Sequence, residues 1–184
     1  MNTQENEVVH FTVPTRDEVS ENNQGIFYMM TKNFGKVPNL YATFAYNETA
    51  LGDYLTLQNR KSTLTAKERE IINLVVSQVN DCKYCVPAHT FISKMHGFSD
   101  EQIIEIRRAQ ISFDTKYDAL SKFVKEVAIN RGRPSEKVLT TLFNAGYNKA
   151  NLVDIIMVVG DKIISNYFHN ITQIPVDWPE VPSL

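Results

Sequence analysis

Apolar residues recur at intervals of three and four along most of this chain, the spacing of one face of an α-helix. Between Ala66 and Asn80 they fall at Ile71, Ile72, Val75, Val76 and Val79. Similar spacing predicts further helices over about 116–131, 136–145 and 149–169. Capping chemistry marks several starts. Thr15 with Glu18, Thr65 with Glu68, and Ser99 with Gln102 each place a hydroxyl three residues before a Glu or Gln, a pairing that satisfies free N–H groups at a helix start. The first pair is expected to open a helix carrying Val19, Ile26, Phe27, Met30 and Phe34, closed by Gly35 and Pro38. "CVPAHTFISKMHG" reads as a helix ended by Gly97. Residues 8–13 are expected to be extended, and no alternating strand pattern is backed by hairpin turns. Pro175, Pro179 and Pro182 exclude a helix from the tail. The expected fold class is all-α: one helical domain over 1–184, loose over 1–14 and ending in a proline-rich tail over 173–184.

A faint internal echo suggests two similar helical halves. "HGFSDEQIIEI" at 96–106 aligns without gaps to "AGYNKANLVDI" at 145–155, Gly97 falling on Gly146 (146 − 97 = 49). At the same offset Cys82, Cys85 and His89 fall on Arg131, Pro134 and Val138, and Glu70 falls on Ala119. The second half would then repeat the scaffold and lack the chemistry.

Charge narrows the partners. The 184 residues hold 19 Lys+Arg and 21 Asp+Glu, a formal net charge of −2, and the two signs are interspersed. No basic stripe points to nucleic acid or to an anionic membrane surface. Apolar runs such as "LVDIIMVVG" at 152–160 are too short and too interrupted to span a bilayer. The first residues have neither a basic leader nor an apolar signal core, so a cytoplasmic location is expected.

The chain has two cysteines, Cys82 and Cys85, three positions apart in "NDCKYCVPAHT". Random placement would put two cysteines three positions apart in about one per cent of cases, so the spacing is a signal. In a reducing compartment a close pair reads as a working dithiol rather than a structural staple. Asn80 and Asp81 are N-cap candidates that would start a helix at or near Cys82. One turn then separates Cys82 from Cys85, and another separates Cys85 from His89. The positive end of a helix favours thiolate over thiol, and a histidine one turn on can move a proton. Pro87 complicates this, because inside the helix it cannot donate to the Lys83 carbonyl. Either the regular helix begins nearer Val86 or that carbonyl goes to another donor. Glu70, in the run "KERE" but beside the apolar Ile71 and Ile72, reads from spacing alone as a solvated surface carboxylate. Burial would instead raise its pKa toward that of a general base.

Glu70, Cys82-Lys83-Tyr84-Cys85 and His89 together resemble the signature of the alkylhydroperoxidase D-like branch of the carboxymuconolactone decarboxylase family. The approach from "GKVPNLYATFAYNETALGDYLTL" is also similar, and "NYFHNITQIPVDWP" is similar to its peroxidase-related members. The resemblance covers roughly residues 34–179. It implies an all-helical fold and a thiol peroxidase. Cys85 would be the peroxide-attacking nucleophile, Cys82 would resolve the sulfenic acid into a disulfide, His89 would relay a proton, and Glu70 would be the distant base. The chain departs from the family at Tyr84, where the best-known peroxidases of the family carry a histidine. Implied partners are a hydroperoxide and an external lipoyl- or thioredoxin-type dithiol, and the implied assembly is a homo-oligomer, trimer or hexamer.

No phosphate cradle or other cofactor motif is visible, so no cofactor is expected. Two alternatives accompany the redox reading. One is a decarboxylase-like lyase working by acid–base chemistry, as in other members of the superfamily. The other is a non-enzymatic zinc site on Cys82, Cys85, His89 and His96, although one Cys-x-x-Cys supplies fewer ligands than closed structural zinc takes. His10, His96 and His169 have plain readings, the last two as helix-end residues favourable to the dipole. Phe27, Phe34, Tyr41, Phe44 and Tyr54 read as core, some of them lining an apolar entrance.

Overall fold

The computed structural model describes residues 9–182 and 184. Among them the regular structure is entirely helical, and no strand occurs. The first six helices are α1 (Glu21–Phe34), α2 (Asn39–Phe44), α3 (Ala50–Gln58), α4 (Ala66–Val79), α5 (Cys85–Met95) and α6 (Asp100–Arg108). Then follow α7 (Thr115–Ile129), α8 (Glu136–Asn144) and α9 (Lys149–Thr172). No described helix is long and apolar enough to cross a membrane. The all-α expectation holds.

The first capping box does less than expected. Glu18 accepts from the Thr15 N–H at 2.7 Å, but the pair closes only a 3₁₀ turn, Arg16–Glu18. Helix α1 begins at Glu21, where the Ser20 hydroxyl accepts from Asn23 N–H. Val19 packs beside Phe27 and Met30 from just before that helix. The other two boxes cap α4 and α6 as read, and Gly35 closes α1 at φ 77°, a left-handed angle that favours glycine. Residues 9–13 lie outside any helix, tied to the body by hydrogen bonds between Thr12 and Tyr46, while residues 1–8 lie outside the described residues.

Helix α4 runs through the middle of the core. Ile71, Ile72, Leu74, Val75 and Val76 are all buried, packed among Ile103, Ile106, Leu120, Phe123, Val124, Leu142 and Ile155. Removing any one of these from water contributes about 1.5–3 kcal/mol, which is why α4 is buried on nearly every side through its middle even though Glu68, Glu70, Asn73 and Ser77 lie on it. A smaller cluster joins α1, α2 and α3, and a third gathers Leu40, Tyr84 and Ile174 around the two cysteines.

The sequence echo has a structural counterpart. Adding 49 to the bounds of α4 gives 115–128, and α7 is Thr115–Ile129; the α6 start, Asp100, maps onto the α9 start, Lys149. Gly97 and Gly146 both take left-handed angles, φ 85° and 96°. Ser99 and Asn148, again 49 apart, cap their helices in the same way. Helix α9 departs from the copy by running 24 residues against nine in α6. Its extra turns reach the cysteines.

Candidate active site

The chain between α4 and α5 turns sharply. Asp81 takes φ 49°, and the Cys82 N–H donates back to the Ser77 carbonyl at 3.0 Å. This corrects the expectation that Asn80 and Asp81 cap a helix starting at Cys82. The helix starts at Cys85, and the Cys82 sulfur accepts the Cys85 N–H at 3.2 Å, serving the free donor that a side-chain cap would have served. Pro87 then falls in the first turn of α5, between the Val86 N–H to Cys82 carbonyl and Ala88 N–H to Tyr84 carbonyl bonds, and leaves the Lys83 carbonyl without that helical donor. The two sulfurs lie 2.7 Å apart, both buried and both free thiols.

Cys82 and Cys85 divide their roles by environment. The S–H of Cys82 pointing at Cys85 holds the Cys85 thiol below its usual pKa. Burial opposes this, and the Lys162 cation with hydrogen bonds from Asn166 and Ser165 reinforces it. Cys82 is pushed far up, first by its bond to Cys85 and then by burial. The pair is thus one thiolate-prone sulfur served by one thiol donor.

His89 is flanked on both ring nitrogens. Its Nδ1 lies 2.9 Å from Glu70 Oε2, and its Nε2 lies 3.2 Å from Lys162 Nζ. An ammonium can only donate, so Nε2 accepts from Lys162 and Nδ1–H donates to Glu70. Glu70 also accepts from Asn73 Nδ2 at 2.8 Å. It is 6 % exposed, which overturns its reading as a solvated carboxylate. The expected upward pKa shift is corrected as well. Burial does work to raise Glu70, but His89, Asn73 and Lys162 outweigh it and hold the carboxyl below its ordinary value. A carboxylate with these donors is a charge anchor already ionised at neutral pH.

Lys162 is the site residue that the sequence reading missed. It is 3 % exposed on α9, with Asp161 Oδ2 at 3.7 Å. Burial works against its charge, and the acidic groups around it, Tyr54, Asp161, Tyr41 and Cys85, raise its pKa on balance. A sequence signal existed. Positions 158, 159, 162, 165, 166 and 169 of α9 form one buried face at helical spacing, and Lys162 falls on it. Neighbours 73 and 89 residues away in sequence pair with the polar groups on that face, so local pattern alone does not reveal its use.

Tyr84 serves another purpose. Its O–H donates to Asp177 Oδ1 at 2.5 Å and accepts from the Leu40 N–H at 3.2 Å. Asp177 also takes the Lys36 ammonium, so Tyr84 pins the C-terminal tail across the site. Burial pushes the Tyr84 phenol far up, out of any proton relay. His169 also departs from its plain reading: it is 2 % exposed, its Nε2 faces the Ile174 carbonyl at 3.2 Å, and burial lowers its pKa. His96 is the exposed C-cap of α5, and His10 is exposed. Among the described residues no group of three His, Cys, Asp or Glu is arranged to hold a metal.

A cavity of about 710 Å³ opens beside the site. Cys85, His89 and Lys162 line it with Tyr41, Tyr54 and Trp178, while Phe34, 72 % exposed, and Met95 stand at its edge. Of the five aromatics read as core, Phe27, Phe44 and Tyr54 pack inside, and Phe34, Tyr41 and Tyr54 line this cavity. Cys82 does not line it. It faces a second cavity of about 580 Å³ on the other side of the tail, and Trp178 lines both.

Residues 44–125 match the model of the carboxymuconolactone decarboxylase family. No curated protein sequence matches the chain. Solved structures share the fold. An uncharacterized peroxidase-related protein from Silicibacter sp. TM1040 superposes with a TM-score of 0.78 at 23% identity, covering 89% of this chain and 88% of the other. An alkylhydroperoxidase AhpD core, also peroxidase-related, from Ralstonia eutropha JMP134 gives 0.82 at 20% identity, covering 91% and 92%. The debrominase Bmp8, in a cysteine-to-alanine variant in complex with 2,3,4-tribromopyrrole, gives 0.76 at 14% identity over 93% of both chains. The family resemblance read from Glu70, the cysteine pair and His89 is borne out.

Proposed function

We propose that this chain, a carboxymuconolactone decarboxylase family match on an alkylhydroperoxidase-like fold, is a thiol peroxidase that cycles through a Cys82–Cys85 disulfide. The observation that carries the reading is the 2.7 Å sulfur pair, with Cys85 facing the cavity and Cys82 donating to it. Cys85 thiolate attacks a hydroperoxide oxygen. An S–O bond forms, the O–O bond breaks, and the departing alkoxide takes a proton from the Lys162 ammonium. His89, fixed between Glu70 and Lys162, holds that ammonium in place. The Cys82 thiol then displaces hydroxide from the sulfenic acid as water, leaving the disulfide. An external dithiol reduces it and returns the proton to Lys162.

The test is peroxide consumption coupled to a small dithiol. Cys85→Ser is expected to lose turnover, and Cys82→Ser is expected to stop at a sulfenic acid that dimedone traps. Equal turnover in wild type and both variants overturns the reading. Reductive debromination of an aromatic ring is a second reading, favoured by the aromatic lining of the cavity. Bromide release from a brominated pyrrole without peroxide would select it. The lyase alternative leaves the paired sulfurs without work.

The proposal includes a homo-oligomer. Val153, Ile156, Met157, Ile164, Tyr167 and Ile171 form an exposed apolar stripe along α9, at spacings of three, four and seven. Ile164→Glu is expected to dissociate the assembly in size-exclusion chromatography.

A further inference from the structure

The two sulfurs face different cavities, and the peroxidase reading gives each cavity a different visitor. Cys85 lines the aromatic cavity with Lys162. Cys82 lines the second, whose walls include Asp81, Lys83, Val86, Arg107 and Glu180. The tail separates them: Asp177 is fastened by Tyr84 and Lys36, Arg107 donates to the Pro182 carbonyl at 2.8 Å, and Trp178 stands between.

We propose that the reducing dithiol reaches the oxidised site through this second cavity and attacks Cys82, so that oxidant and reductant use opposite doors. The chemistry of exchange favours the same sulfur. A disulfide breaks fastest when the more acidic thiol leaves, and Cys85 is the sulfur served by Lys162, Asn166 and Ser165. The donor thiolate attacks Cys82, a donor–Cys82 disulfide forms, and the Cys82–Cys85 bond breaks with Cys85 leaving as thiolate. The donor's second thiol then attacks its own sulfur in the mixed disulfide. Cys82 leaves and takes that thiol's proton, the donor becomes a cyclic disulfide, and the donor's first proton, released through solvent, is the one that restores the Lys162 ammonium.

The cavity also describes the visitor. Lys83 and Arg107 are balanced by Asp81 and Glu180, so its walls favour an uncharged arm over an ionic one. Cys82 is 0 % exposed. An attacking sulfur must therefore press into the wall on a slim support, which fits an aliphatic dithiol arm better than a dithiol on a folded protein surface.

This route rests on the disulfide cycle but is tested apart from peroxide. Protein oxidised with diamide is mixed with dihydrolipoamide, and the return of free thiols is followed by quenched alkylation. Lys83→Trp, at an exposed position of the second cavity, is expected to lower the ratio of reduction rate to Cys85 alkylation rate on the order of tenfold. Met95→Trp, 73 % exposed at the first cavity, is expected to raise that ratio. A mixed disulfide captured with a monothiol can be mapped because Lys83 lets trypsin separate the cysteines. Capture on Cys82 supports the route. Capture on Cys85, or reduction slowed by Met95→Trp and not by Lys83→Trp, overturns it. A protein reduced through Cys82 but inert to peroxide would sink the peroxidase reading alone.

Discussion

The trio α4–α6 and the trio α7–α9 are built to one plan, yet only the first holds the sulfurs. Both set a core helix, a turn, a shorter helix and a glycine before a capped third helix, 49 residues apart. Between α4 and α5 the chain carries Asp81 at φ 49° and the cysteine pair. Between α7 and α8 it carries Arg131 at φ 53° and Gly132 at φ 83°, with Pro134 where Cys85 would stand. The turn can therefore form without chemistry. What makes the first turn a site is the overlong third helix of the second trio, which brings Lys162, Ser165 and Asn166 across to it. The scaffold pattern recurs, and the candidate site lies at the junction between the two trios.

The sharpest way to break this comparison is to change equivalent turns. Cys85→Ser is expected to lower peroxide turnover by about a thousandfold or more. Arg131→Gly, in the matching turn, is expected to leave turnover intact and to raise the melting temperature slightly, because glycine relieves the left-handed angle. Lys162→Met removes the second trio's contribution. The Lys162 cation favours the charged form of Cys85, so its loss should move the pH midpoint of iodoacetamide alkylation up. Alkylation then slows on the acid side of that midpoint and recovers at high pH.

Glu70→Gln tests the anchor behind His89. The folded carboxyl lies below its ordinary value, so its contribution to stability is present above the usual carboxylate range. That contribution is lost as pH falls through the folded value. Breaking the buried pair is expected to cost about 3 kcal/mol at neutral pH, and the variant's stability should vary less with pH on the acid side. Urea unfolding at neutral and acid pH measures both. Tyr84→Phe should have the smallest effect. Losing its bond to Asp177 and leaving the Leu40 N–H without its acceptor costs about 2 kcal/mol and should speed proteolysis of the tail while turnover persists.

The amino-acid sequence alone determined that the chain is helical and where α4, α6 and α9 begin, and its resemblance to a known family grouped Glu70 with Cys82, Cys85 and His89. These are short-range matters. Caps act over three residues, apolar faces repeat every three or four, and the four site residues span two helices joined by one turn. Tertiary structure decided the rest. It buried Glu70 and charged it, because its donors come from His89 and, through that ring, from Lys162. It made Tyr84 a clasp for the tail, since Asp177 lies 93 positions away. It gave each sulfur its own cavity, because the folded tail stands between them. Spacing along a chain records which residues share a turn. It does not record which charge from a distant helix will enter a space too dry to screen it.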